Sequence, residues 1–97
     1  MRTIGVRVLG VLRAAHVYVE GNEVPLSYDG VSTRLGHLQV QVTGTLDVGW
    51  LFAGFPQNAY GIDLFEIVDP AGAATEIDKI RNHLDAKGIG QGTKSYA

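Results

Sequence analysis

His16, Tyr18 and Glu20 occupy alternate positions, and on an extended strand that spacing sets all three on one face. A histidine and a carboxylate so placed can begin a metal site or act as an acid/base pair. Two ligands leave a metal site incomplete, so His37 has to arrive from elsewhere in the fold. Polar residues at alternate positions also describe the solvated side of a strand. Asp47 and Asp63 flank an aromatic stretch and, with Asp29, are the candidates for paired-carboxylate chemistry. Turn duty accounts equally for Asp29 and Asp47, and the start of a strand for Asp63. Arg7, Arg13 and Arg34 have the chemistry to hold an anion, but Arg7 and Arg13 stand roughly 20 Å apart on an extended strand, too far to clamp one phosphate. His83 reads as a solvated residue. The glycines form neither a G-x-G-x-x-G nor a G-x-x-x-x-G-K-[ST] pattern, and no motif of a known family is present. No metal or cofactor is expected, and no catalytic residue is assigned.

The stretch from Leu46 to Val68 holds the only tryptophan and all three phenylalanines, so most of the aromatic area that can be buried lies there. Within it, Trp50, Phe52, Phe55 and Tyr60, with the amides of Gln57 and Asn58 on a connecting loop, form the best candidate site. Aromatic walls with a few polar groups suit a protein interface or an apolar small-molecule pocket. They suit a hydrophobic core equally well.

Composition narrows the partners. A net charge of −2, with basic residues scattered along the chain, supplies no attraction for a phosphate backbone, so nucleic acid is not expected. The absence of cysteine excludes disulfides and thiolate metal sites. No apolar run approaches the length of a membrane span, and Arg7 and Arg13 break the N-terminal one, so the expected setting is cytoplasmic with no membrane contact.

The elements that must position these residues follow from periodicity. Residues 3 to 13 alternate as a strand, with Leu9 and Val11 adding a second apolar face. His16 to Glu20 and Glu23 to Tyr28 read as a hairpin with Val19 facing Val24, and the missing N–H of Pro25 favours a four-residue loop from Glu20 to Glu23. Even positions from Leu38 to Phe52 are apolar except Gly44, too long a run for one straight strand. It either turns back through Asp47-Val48-Gly49 or kinks at Gly44. Gly54 to Gly61 is a loop, and Ile62 to Val68 a central strand apolar on both faces. Asp69-Pro70 can open a helix, Ala73, Ile77, Ile80 and Leu84 form a helical stripe, and Gly88 closes it.

The expected architecture is therefore α+β: a twisted, mostly antiparallel sheet of five or six strands with one C-terminal amphipathic helix. A small β-barrel carrying that helix is the alternative. Residues 1–89 form one domain, and 90–97 a mobile C-terminal tail. Strands apolar on both faces call for a covering partner, so a homodimer is expected. The functional expectation is a small, self-associating, non-enzymatic binding protein that takes a protein or an apolar small molecule on the aromatic stretch. A small hydrolase or isomerase using His16, His37 or the aspartates in a subunit-interface cleft is one alternative. A structural or regulatory subunit of a larger assembly is another.

Overall fold

The computed structural model describes residues 1–69 and 71–97. Nine strands run through the described residues: β1 (Arg2–Leu9), β2 (Leu12–Val19), β3 (Asn22–Glu23), β4 (Ser27–Tyr28), β5 (Thr33–Val40), β6 (Leu46–Gly54), β7 (Ala59–Ile67), β8 (Ala74–His83) and β9 (Ile89–Tyr96). They make two antiparallel sheets, one ordered β4-β5-β1-β7-β8 and the other β3-β2-β6-β9. The alternation seen in the sequence becomes the inner faces: Ile4, Val6 and Val8 of β1 with Ile62 and Leu64 of β7 meet Val17 and Val19 of β2 and Leu46, Val48 and Phe52 of β6 in one core. Phe52 and Tyr60 meet edge to face across the two sheets with centroids 5.1 Å apart.

The α+β expectation, in either version, is overturned because the described residues contain no helix. Residues expected to form the helix form β8 instead; Pro70, its expected first residue, lies outside the described residues. The cause is a β-bulge. Phe65 pairs with Glu76 and Leu64 with Asp78, leaving Ile77 as an extra residue. The insertion lets Ile77 and Ile80, three positions apart, both pack against the core. One bulge thus turns a period of two into a spacing that imitates a helix.

The segment expected as a mobile tail is strand β9, paired with β6 from Ala53↔Ile89 to Leu46↔Tyr96. Its glycines fit their neighbours: the Tyr60 ring occupies the space of a side chain at Gly90, and the Trp50 ring that at Gly92.

The hairpin after β2 closes through two residues and not four. Glu20 (φ 52°) and Gly21 (φ 78°) form the turn, Val19 pairs with Asn22, and the Val24 amide donates to the Val17 carbonyl at 2.8 Å. Pro25 sits where the chain leaves one sheet for the other, which removes the conflict with ladder pairing that favoured the longer loop. Gly44, at φ +83°, lies in the crossing from β5 to β6, so the long apolar run divides there and no hairpin forms through Asp47-Val48-Gly49. β1 is central in its sheet, between β5 and β7.

Three connections that change sheet gather at one end of the sandwich: β1 to β2, β6 to β7 and β8 to β9. No helix among the described residues is long and apolar enough to cross a membrane.

Candidate functional site

The six candidate residues divide between the core and this loop end. Phe52 and Tyr60 are buried, and Trp50 is half-buried with its indole N–H donating to the Tyr60 hydroxyl at 3.3 Å. These three hold the sheets together. Phe55, Gln57 and Asn58 are exposed on the β6–β7 loop, and Phe55 keeps 69% of its surface in water. Beside it Val11, on the β1–β2 connection, is 63% exposed, and Val31, on the β4–β5 loop at the same end, is 97% exposed. Val11 and Val31 carried no site signal in the sequence. Recognising them requires knowing which loops share an end.

The loop that carries Phe55 is held firmly. Gln57 adopts φ 65° to close it, and the Asn58 amide donates to the Phe55 carbonyl at 3.2 Å. Two further amides, Gly54 and Gln57, donate to the carbonyls of Gly88 (2.9 Å) and Asp85 (3.2 Å), and Leu84 donates to Asn58 at 2.8 Å. The neighbouring turn is itself organised by Asp85, whose carboxylate accepts from the amides of Lys87 and Ile89 at 2.8 and 2.9 Å. These bonds, the Ile89 amide first, hold the Asp85 carboxyl below its usual range. Val11, Leu12, Arg13, Gly54 and Phe55 then line an apolar hollow of about 280 Å³. The end therefore offers an apolar hollow with an exposed aromatic knob as one wall and Arg13 among its lining residues.

The acid/base candidates do not converge. His16 and Tyr18 lie on the outer face of the β3-β2-β6-β9 sheet, but His16 Nδ1 pairs with Glu23 at 2.7 Å, and the carboxylate of Glu20 instead accepts the Asp47 amide at 2.7 Å. His37 and His83 stand on the outer face of the other sheet, in the pairs Gly5↔His37 and Ala59↔His83. Asp29 lies in the loop before β5, and its amide donates to the Thr33 carbonyl at 2.7 Å. Asp47 accepts from Ser95 Oγ at 2.6 Å. Asp63 lies mid-strand in β7, not at a strand start, and is buried between Arg81 (2.7 Å) and Arg7 (3.4 Å). Arg34 donates to the Leu12 carbonyl at 3.0 Å and to the Tyr28 hydroxyl at 2.6 Å. Arg7 and Arg34 are thus engaged in separate local contacts, and Arg13 lines the hollow at the loop end. Among the described residues, no group of three or more histidines and carboxylates is placed to hold a metal ion.

Comparison with family models, with curated proteins and with solved structures finds no match. The functional reading rests on geometry and chemistry alone.

Proposed function

We propose that this chain is a non-enzymatic interaction module that associates with a second copy of itself through the loop end around Phe55. The observation that carries the proposal is the exposed Phe55 ring, which forms one wall of the apolar hollow completed by Val11, Leu12, Arg13 and Gly54. A knob beside a hollow is self-complementary: a two-fold axis can place each Phe55 in the partner's hollow. Rigid loops favour this contact because little ordering is lost on binding. The Cα envelope measures 38 × 28 × 19 Å. An end face set by the two shorter extents is roughly 28 by 19 Å. Covering it on two copies buries on the order of 1,000 Å², the low end for a specific interface, so the association is weak and reversible.

The hydrolase or isomerase alternative needs two acid/base side chains in one cleft, and His16 and His37 stand on opposite outer faces of the sandwich. Strands apolar on both faces no longer require a partner, because Phe65 covers Gly5 and the Arg81 side chain covers Gly61 on the outer face. The dimer proposal rests on the loop end instead. A cytoplasmic setting belongs to the same proposal.

Light scattering behind size exclusion across a concentration series tests it. The wild type should move from the 10.4 kDa monomer mass toward twice that value as concentration rises. Phe55→Ser should stay monomeric with an unchanged melting temperature. A wild type that remains monomeric at every concentration, or a Phe55→Ser variant that associates like the wild type, sinks the proposal.

A further inference from the structure

Gly49 is a glycine in the middle of β6 that packing does not require. A Cβ built there would meet only Thr93 Cγ2 at 3.6 Å and the Gly92 carbonyl oxygen at 3.8 Å, both ordinary contacts. Its φ is not positive, so the backbone does not require glycine either. By contrast, the rings of Phe65, Tyr60 and Trp50 fill the side-chain space at Gly5, Gly90 and Gly92. A strand-interior glycine gives up packing and β propensity, and with no close neighbour it marks a place where something approaches the bare backbone.

The neighbours of Gly49 indicate what approaches. Tyr18 and Thr93 lie directly opposite it on the flanking strands β2 and β9, so the missing side chain leaves a trough between them. Two hollows of about 500 and 350 Å³ lie along this face, and both include Tyr18, Gly49 and Thr93. Asp47 and Ser95 border the larger hollow, and Gln91 the smaller. Glu23 lies opposite Tyr18 on β3, continuing the polar rim. Lys94 also borders the larger hollow, but its ammonium is paired with Asp78 at 2.8 Å. The trough is therefore shallow, with a largely apolar floor around Gly49, the Tyr18 side chain beside it, and hydroxyl, amide and carboxylate groups around the rim. It lacks the apolar depth that a greasy ligand needs, and its carboxylates repel an anion.

We propose that this trough binds a neutral oligosaccharide, with one sugar ring over Gly49 beside the Tyr18 ring. A pyranose presents a face of C–H groups to an aromatic ring and a rim of hydroxyls to polar groups. Gln91, Thr93 and the Asp47 carboxylate supply donors and acceptors for such a rim. The site is distinct from the loop end and does not depend on self-association.

The test is amide-shift titration of the labelled protein with cellohexaose, maltohexaose, xylohexaose and mannohexaose up to millimolar concentrations. At least one sugar should shift Gly49, Gln91 and Thr93. Gly49→Val fills the trough with a β-branched side chain and should weaken binding at least tenfold with a melting temperature no lower than wild type. Tyr18→Ala should weaken it similarly. Absence of shifts at these amides with all four sugars, shifts confined to the loop end, or wild-type binding by Gly49→Val would overturn the proposal.

Discussion

Phe52 and Phe55 are three residues apart and carry the same side chain, yet one is fully buried and the other is 69% exposed. Their truncations should therefore behave oppositely. Phe52→Ala removes a ring packed edge to face on Tyr60 and should cost about 3–5 kcal/mol by chemical denaturation. Phe55→Ala touches no core and should stay within about 0.5 kcal/mol of wild type. Comparable losses from both would place Phe55 in the core and remove the knob. Residue types alone could not separate the two, because the sequence shows an aromatic stretch and not which rings cross the strand end. Alternation marked Trp50 and Phe52 as one side of a strand. Phe55, at an odd position and beyond the strand end at Gly54, falls outside that pattern.

At the scale of elements, the inward alternation of β1 and β6 and the apolar run of β7 were legible in the sequence, but not their ends. The strand expected over residues 3 to 13 stops at Leu9, with β2 starting at Leu12, and the run from Leu38 to Phe52 left the start of β6 open. Strands with one local irregularity were not legible. The bulge at Ile77 hid β8, and Gly90 and Gly92 hid β9 because their partners, Tyr60 and Trp50, lie 30 or more positions away in sequence or on a different strand. The loop end was half legible: Phe55, Gln57 and Asn58 could be named, whereas Val11, Val31 and Arg13 join them only through topology. Gly88 is the element-level test. It sits at φ +79° with its would-be Cβ directed into the Gly54 carbonyl, so it joins the β8–β9 turn to the Phe55 loop. Gly88→Ala should destabilise by more than about 1 kcal/mol and broaden the amide signals of residues 54 to 58. A neutral effect would mean that the two loops are not coupled.

For the molecule as a whole, the two sheets are tied along their open side by a polar cluster. Asp78 on β8 accepts from Lys94 at 2.8 Å and from the Tyr96 hydroxyl at 2.7 Å, both on β9. The Lys94 bond first, and the Tyr96 bond with it, hold the Asp78 carboxyl below its usual range; Arg2 does the same for Glu66. Burial, reinforced by Asp78, pushes the Tyr96 phenol up. A carboxyl lowered on folding stabilises the fold at pH above its unfolded pKa, near 4, and that stabilisation is lost as pH falls through the lower folded value. A raised phenol adds stability below the ordinary tyrosine range that is lost as pH climbs through its folded value. Asp78→Asn should therefore melt below wild type at neutral pH and lose less on acidification below about pH 4. Parallel acid limbs for the two proteins would show that the cluster does not couple the sheets to pH.

The central place of β1 has a kinetic consequence. Its partners are β5 and β7, in registers such as Ile4↔Leu38 and Ile4↔Glu66, so β1, made before both, completes its pairing only after Glu66 has been made. Until then β1 can pair with β5 alone, and one of its two edges stays open. Pairing over such separations closes large loops and places folding in the slow, millisecond-to-second range typical of β-sandwiches. During translation, the edge of β1 that awaits β7 is where a holding chaperone would gain most by binding.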